Sequence, residues 1–231
     1  MRPHHFMACL LALCPLLLSA QEDLAQEDLA QENPVQEDLG PSARAELAKF
    51  TSGLESLHAQ FRQTLTSAEG ELMESGTGEV WMQRPDRFRW QHAGEFPELI
   101  VADGERLWMY DEALEQVTVR EQSGQPEDSP LLLLTEPEGI DRQFIVTELG
   151  DIGEMLLLEL KVRNAQAEFE RVLLGLRDGQ LRMMTMEDAF GMRTEIRFEQ
   201  VERNPQLDPE LFHFTPPPGV DVLGGDAAEE P

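Results

Sequence analysis

The side chains that could perform acid–base, nucleophilic or metal chemistry are few and isolated in this sequence. Both cysteines, Cys9 and Cys14, fall within the first 20 residues. His58, His92 and His213 have no histidine or carboxylate partner at metal-ligand spacing, and nucleophile-elbow, HExxH, Walker and dinucleotide-binding motifs are absent. Asp and Glu are so abundant that no pair stands out as a general acid and base. The sequence therefore predicts a protein that is not an enzyme and uses no cofactor or metal ion.

Methionine and tryptophan indicate a different chemistry, the binding of apolar ligands. Met183, Met184 and Met186 lie in one predicted strand and point to both of its faces. Methionine is unbranched and adaptable, so it suits either an irregular core or a pocket for varied apolar ligands. The three tryptophans fit a core or a sheet face. These residues by themselves leave both interpretations open and favour the core.

The charge of the chain excludes one class of partner. With 45 acidic and 18 basic residues, the formal net charge is −27, and such a surface repels nucleic-acid backbones and anionic lipid head groups. The chain is therefore predicted not to bind nucleic acid. Its hydrophobic fraction of 41% is still enough to build a core, and its 231 residues accommodate one large domain.

The first 20 residues have the pattern of a signal peptide. Arg2 precedes an apolar run over residues 6–18, and the small residues Ser19 and Ala20 suit a cleavage site. The run is too short to span a bilayer, although an uncleaved anchor is an open alternative. We expect residues 1–20 to be removed near Ala20 and the mature protein to be exported.

An acidic repeat separates the signal peptide from the folded domain. Residues 21–40 read QEDLAQEDLAQENPVQEDLG and contain seven acidic residues and no basic one. Leu24 and Leu29 are five residues apart, which makes no helical stripe, and Pro34 would break a helix. We therefore predict a disordered linker over residues 21–42, one folded domain over 43–223 and an acidic tail over 224–231.

Hydrophobic spacing predicts a mainly β domain of the α+β class. Ser42 can cap a helix with Leu47, Phe50 and Leu54 on one face, and alternation of period two follows in about ten segments. Asp-Gly pairs at 103–104 and 178–179 predict tight hairpins, and Ser-Pro at 129–130 begins a short helix through Leu134. We expect one curved antiparallel sheet whose apolar face is covered by short helices.

Several segments together carry a resemblance to a known family. The segment from Trp81 to Trp90, WMQRPDRFRW, resembles the W-x-x-R-P-x-x-F-x-W pattern of the LolA family, the periplasmic carriers of outer-membrane lipoproteins. The similarity continues through IVADG at 100–104, Phe190-Gly191, Asn204-Pro205 and FHFTPPPGV at 212–220. It extends in one order over roughly residues 44–222.

This resemblance implies a fold and a function. The family fold is an unclosed half-barrel in which short helices form a lid over a hydrophobic cavity. The cavity takes the acyl chains of lipoproteins released from the inner membrane by the LolCDE transporter, and the carrier delivers them to the LolB receptor at the outer membrane. The protein is accordingly expected to be a monomeric periplasmic chaperone.

The resemblance also implies site residues. Arg84 matches an arginine that holds the lid by hydrogen bonds to backbone carbonyls, which in this chain should lie near Thr51, Leu134 and Thr135. Phe88 matches a position at the cavity mouth that contacts cargo. The apolar residues expected to contact lipid with it are Trp90, Leu131, Leu132, Phe61 and Trp108.

The sequence also departs from the family pattern. The acidic repeat is not part of it, Met192 stands where glutamine is common, and Leu160 replaces a proline. The alternative function is a lipid-sensing or glycolipid-binding module of the cell envelope on the same fold.

Overall fold

The computed structural model describes residues 42–94, 97–122, 140–163 and 169–224, which all belong to the second of the two compact units of the chain, residues 39–231. The signal peptide, the acidic repeat, the short helix after Pro130 and most of the acidic tail lie outside the described residues, as do Leu131, Leu132, Leu134 and Thr135. No helix within the described ranges is long and apolar enough to cross a membrane.

Helix α1, Ala43–Thr51, begins where its cap was predicted. The Ser42 side chain accepts a hydrogen bond from the backbone N–H of Ala45, which satisfies one of the free donors of the first turn. The helix buries Leu47 and Phe50 and ends before Gly53, which has a φ of +63°. The chain then enters β1, Ser56–Thr66, directly.

Eleven further strands, a second helix and a 3-10 turn follow along the chain. Their bounds are β2 Leu72–Gln83, β3 Arg87–Ala93, β4 Glu98–Ala102, β5 Arg106–Asp111, β6 Gln116–Glu121, α2 Ile140–Gln143, β7 Phe144–Ile152, β8 Met155–Val162, β9 Arg171–Arg177, β10 Gln180–Glu187, β11 Arg193–Arg203, the 3-10 turn Pro209–Phe212 and β12 Asp221–Leu223.

All twelve strands form one sheet in the order β12-β6-β5-β4-β3-β2-β1-β11-β10-β9-β8-β7. Consecutive strands within β1–β6 and within β7–β11 pair as antiparallel hairpins, and the long pair of β1 with β11 joins these two sets. Strands β12 and β7 are its two edges, so the described sheet is unclosed. The predicted fold class is confirmed, with two differences: there are twelve strands instead of about ten, and β12 pairs with β6 in parallel.

The two Asp-Gly pairs form different turns. Asp178 and Gly179 both have a positive φ, 54° and 67°, as the predicted two-residue hairpin requires. The other loop has three residues, 103–105, instead of two. There the Asp103 carboxylate accepts hydrogen bonds from two backbone N–H groups at 2.7 and 2.8 Å and from Nε1 of Trp108 at 2.9 Å, and these bonds stabilise the wider loop.

The sheet has an inner face, which carries Phe61, Phe88 and Leu174, and an opposite outer face. On the inner face, buried side chains of β1–β5 and β7–β11 form one continuous cluster with Phe50 and Leu54 from the α1 segment. Helix α1 packs across β7–β10. It therefore covers the part of the inner face that those four strands form.

The three clustered methionines contribute to both faces. Met184 is fully buried in the inner cluster, and Met186 packs partly buried against it. Met183 is buried on the outer face, where its side chain lies against the open backbone of Gly175. Core packing, the favoured interpretation, accounts for all three.

The C-terminal segment packs on the outer face. Phe212 is buried, and the ring of Phe214 lies 5.7 Å from that of Trp108. Arg89 of β3 donates a hydrogen bond from Nη1 to the carbonyl oxygen of Leu211 at 3.3 Å. The outer face thus has a small apolar layer of its own, separate from the inner cluster.

The assignment of faces predicts unequal costs for two neighbouring leucines. Leu174 is fully buried on the inner face, whereas Leu173 is half-buried on the outer face. We expect Leu174→Ala to lower the free energy of unfolding by about 2–5 kcal/mol, because it leaves a cavity in the main core, and Leu173→Ala to cost clearly less. Urea denaturation of both variants measures the difference; equal losses would contradict the assignment.

Candidate functional site

Two glycines of β2, Gly76 and Gly78, form a flat floor at the centre of the inner face. A Cβ at Gly78 would collide with the ring of Phe61, and one at Gly76 with the ring of His92. Only glycine therefore lets these two rings lie against the sheet. The Phe61 ring also stacks on that of Trp90, with centroids 3.9 Å apart, so the floor supports a compact aromatic group.

Three of the predicted lipid-contacting residues lie together in the inner apolar cluster. Phe61, Phe88 and Trp90 are 2%, 4% and 7% exposed and share the inner apolar cluster. Phe88 is the cross-strand partner of Met82 on one side and of Ala102 on the other. In this state the three rings contact the protein's own side chains, so a ligand that reaches them must first displace part of the cluster.

Trp108 does not join this group. Its register partners are Val101 and Val119, whereas the inner face of β5 carries Leu107. Because side chains alternate between faces along a strand, Trp108 lies on the outer face, where its indole bonds to Asp103.

Arg84 lies beside the connection between α1 and β1. It follows the last residue of β2, and its backbone N–H donates to the carbonyl oxygen of Glu55 at 2.9 Å. Thr51, the last residue of α1, is buried; its hydroxyl donates to the carbonyl of Leu47 at 2.9 Å, and its own carbonyl accepts from the N–H of Leu54 at 3.2 Å. The fold therefore brings Arg84 close to the helix end where its role was predicted, and that role remains a prediction.

An open cleft of about 690 Å³ adjoins Arg84. Its lining is polar and charged, and the residues are Gln83, Arg84, Pro85, Asp86, Arg87, Asp103, Gly104, Glu105 and His213. Within the described ranges, no cluster of three or more His, Cys, Asp or Glu side chains could hold a metal ion.

Residues from the far end of the chain hold the C-terminal end of α1. Arg203 donates from Nη2 to the carbonyl oxygen of Ser52 at 2.6 Å, and Asn204 donates from Nδ2 to that of Gly53 at 2.8 Å. The side-chain Oδ1 of Asn204 accepts a hydrogen bond from the backbone N–H of Glu55 at 2.8 Å. Residue spacing did not predict this contact. The one indication in the sequence was the Asn204-Pro205 pair, which was noted only as part of the family pattern.

Carboxylates hold the N-terminal end of α1. Glu148 of β7 accepts from the Ser42 hydroxyl at 2.8 Å and from the backbone N–H of Ala43 at 3.1 Å, a favourable place for a negative charge at a helix N-terminus. Arg44 donates two hydrogen bonds to Asp141 of α2 at 2.8 and 3.1 Å. No pattern in the sequence linked these residues, which are about a hundred positions apart.

Glu46 holds the middle of the helix to the turn between β9 and β10. Its side chain is 6% exposed and accepts hydrogen bonds from Lys49 and from the backbone N–H of Gly179. These two donors, the Lys49 ammonium first, lower the pKa of Glu46. The carboxylate is thus kept ionised at neutral pH in an almost fully buried position.

The end of the inner face farthest from Arg84 is polar. His92 is 6% exposed, and within the described part of the chain its Nε2 has no hydrogen-bond partner. Its cross-strand partner on β4 is Glu98. Burial, followed by the charges of Asp111 and Glu74, raises the pKa of Glu98, while His92 opposes that rise. The inner face therefore changes from aromatic to ionisable along the strands.

Comparison with known proteins gives consistent matches. The family model described as outer membrane lipoprotein carrier protein LolA matches residues 52–215. The outer-membrane lipoprotein carrier protein of Xanthomonas campestris pv. campestris (strain B100) is 42% identical over 185 residues, covering 79% of this chain and 88% of the relative. That of Dechloromonas aromatica (strain RCB) is 36% identical over 179 residues, covering 78% and 86%.

A solved structure has a similar fold at low sequence identity. The crystal structure of an uncharacterized conserved protein from Thermus thermophilus superimposes with a TM-score of 0.50 at 13% identity, covering 78% of this chain and 98% of that one. At this identity the similarity concerns the fold alone.

The contact of Glu46 predicts a pH-dependent contribution to stability. Because its folded-state pKa is lowered, its contribution is present above the ordinary carboxyl value of about 4.3 and is lost as the pH falls through the lowered pKa. We expect Glu46→Gln to be less stable than wild type in urea at pH 7, with the difference shrinking progressively below about pH 4.5.

The matched control is Glu202→Gln, which removes an exposed carboxylate of β11. This variant should differ little from wild type at either pH. A Glu46→Gln penalty that is as large at pH 3 as at pH 7 would show that the ionised carboxylate is not what holds the helix.

Proposed function

The chain belongs to the LolA family of outer membrane lipoprotein carrier proteins, and on that premise we propose that it binds the acyl chains of lipoproteins and carries them through the periplasm. The inner-membrane transporter LolCDE is the proposed donor, and the outer-membrane receptor LolB is the proposed acceptor. The predicted signal peptide over residues 1–20 agrees with export to that compartment. The protein acts as a chaperone, without a chemical step.

The observation that carries this proposal is the aromatic group on the inner face. Phe61, Phe88 and Trp90 form an apolar surface in the inner cluster, in which Phe61 lies against Gly78, and such a surface can contact a flexible hydrocarbon chain without specific hydrogen bonds. An acyl chain needs such a surface: each CH₂ exposed to water costs about 0.8 kcal/mol, so a chain of about 16 carbons cannot cross an aqueous compartment uncovered.

The contacts of helix α1 suit a cover that must open. Its packing against β7–β10 is apolar, but its N-terminal end is held by Glu148 and by an exposed Arg44–Asp141 pair. Exposed ion pairs contribute only about 0–1 kcal/mol each. A carrier must release its cargo as well as bind it, so a cover with two states of similar free energy serves better than a permanent core.

Arg84 is the proposed latch of the lid. Its guanidinium has five donors in a rigid plane and can hold several carbonyls in one geometry. Its backbone N–H is hydrogen-bonded to Glu55, four residues beyond Thr51. The Arg84 side chain therefore begins next to the C-terminal end of α1. Closing the empty lid with these bonds would help to expel cargo at the acceptor.

A charge on the inner face should abolish cargo binding. We expect Phe88→Glu to weaken the binding of a triacylated lipopeptide and of a hydrophobic fluorescent dye by more than tenfold, because a carboxylate without a partner at an apolar contact costs several kcal/mol. Fluorescence titration gives both affinities, and circular dichroism establishes that the variant is folded.

The matched control for that charge is Gln91→Glu. It adds the same charge to the same strand but at an exposed position of the outer face, so its affinities should equal those of wild type. Phe88→Leu, which keeps the core apolar, should lose affinity only modestly. Wild-type lipopeptide binding by folded Phe88→Glu would exclude Phe88 from the cargo site.

Removal of the latch should separate loading from delivery. We expect Arg84→Leu to accept lipoprotein from LolCDE vesicles normally but to transfer less of it to purified LolB, since the empty lid no longer gains the bonds that close it. Arg87→Leu, which removes the same charge from an exposed neighbouring position, is the control. Normal transfer by Arg84→Leu would rule out the latch.

A further inference from the structure

Two turns at the end of the sheet farthest from Arg84 share one design. In the turn over 67–71, Ser67 Oγ accepts from the N–H groups of Glu69 and Glu71 at 3.2 and 3.3 Å. In the turn over 188–192, Asp188 Oδ1 accepts from those of Phe190 and Met192 at 2.8 and 2.9 Å. In each turn the first residue holds the backbone of the third and the fifth.

Each turn is further closed by main-chain bonds and a glycine. The N–H of the first residue donates to the carbonyl of the fifth, at 2.9 Å from Ser67 and 3.0 Å from Asp188. The fourth residues, Gly70 and Gly191, have φ values of +85° and +78°, which favour glycine. Both turns are therefore fixed in shape, unlike a loop that is exposed because nothing orders it.

The two turns lie side by side. Strands β1 and β11 pair up to Thr66 and Arg193, and a Cβ built on Gly191 would lie 3.1 Å from the Cβ of Ala68. We call the combined surface, residues 67–74 and 187–193, the hairpin tip.

The hairpin tip exposes large apolar side chains. Phe190 is 84% exposed, Leu72 64% and Met73 60%. Leaving such side chains in water is unfavourable, and apolar groups on a preordered backbone lose little further entropy when a partner covers them. Aromatic side chains presented in this way are the usual anchors of protein interfaces.

The charge around these side chains identifies the kind of partner. The hairpin tip contains five carboxylates, those of Glu69, Glu71, Glu74, Glu187 and Asp188, and a single arginine, Arg193, which pairs with Glu187 at 3.3 Å. This excess of negative charge repels an anionic lipid surface. It also repels a second copy of the chain, whose net charge is −27.

We propose that the hairpin tip is a docking surface for a protein partner with an apolar pocket rimmed by Lys and Arg. Phe190 is the anchor that enters the pocket, Leu72 and Met73 flank it, and the carboxylates pair with the basic rim.

The hairpin tip is remote from the proposed latch. Leu72 and Gln83 begin and end the 12-residue strand β2, which separates the hairpin tip from the turn of Arg84 by roughly 36 Å. A partner bound at the hairpin tip therefore leaves Arg84 and Phe88 free, so docking and opening of the lid can occur together. This proposal rests on the proposed carrier function, in which the partner is one of the two proteins that exchange cargo with the carrier, LolCDE or LolB.

The test measures the affinity of the full-length mature protein for purified LolB and for LolCDE in nanodiscs of zwitterionic lipid, by biolayer interferometry. Phe190→Ser and Leu72→Ser should each weaken binding to one of these partners at least tenfold. Glu71→Lys should weaken the same binding and reduce its dependence on salt concentration. All three variants should bind triacylated lipopeptide like wild type. Leu114→Ser removes a leucine that is 70% exposed on the turn between β5 and β6 and should change neither affinity.

The proposal would be overturned by wild-type affinity of both serine variants for both partners, by no binding of the wild-type protein to either, or by binding to phosphatidylglycerol vesicles that depends on Phe190. Sedimentation that shows a dimer dissolved by Phe190→Ser would also overturn it. Failure of the carrier function is recognised separately, because lipopeptide binding would then be absent in every variant and in wild type.

Discussion

A sheet of twelve strands with one continuous apolar face cannot leave that face in water, and the rest of the structure depends on how it is covered. Helix α1 covers the part formed by β7–β10, where Leu47 and Phe50 complete a core with the inner side chains of those strands. The aromatic group at the centre lies beyond those strands, and in it the Phe61 ring lies against Gly78 and stacks on Trp90. Coverage by a separate helix, instead of a second sheet, allows the same face to be a core and, in the proposed function, a binding surface.

The polar contacts of α1 differ between its two ends. Its C-terminal end is joined to β1 by four residues and is held by Arg203 and Asn204, which bond to the backbone of the connection itself. Its N-terminal end is held through side-chain carboxylates, Glu148 and Asp141, which are reached from solvent. The bonds at the C-terminal end are exposed as well, and the nearly buried Glu46 holds the middle of the helix. The exposed Arg44–Asp141 ion pair contributes only about 0–1 kcal/mol, so it is the weakest of these contacts.

The two ends of the strands carry different kinds of residues, so the proposed latch and the proposed docking surface lie at opposite ends of the sheet. One end carries Arg84, the α1 connection and the charged cleft. The other end carries the buried His92 with its exposed cross-strand partner Glu98 and, beyond them, the exposed hairpin tip. Antiparallel strands make this possible because each strand exposes a turn at both ends, and each turn can be specialised independently of the sheet that supports it.

Local patterns in the sequence determined the elements, whereas contacts between distant residues appeared only in the folded chain. The cap at Ser42, the hairpin at Asp178-Gly179 and the shared face of Phe88 and Trp90 follow from interactions within a few residues, which spacing records directly. The face of Trp108 did not follow, because an apolar ring suits either face of a sheet and only the register of β4–β6 decides between them. Asn204 and Glu148 were missed for the same physical reason: each bonds to the α1 region across a hundred residues or more, and one sequence carries no record of which distant backbone groups a polar side chain will meet.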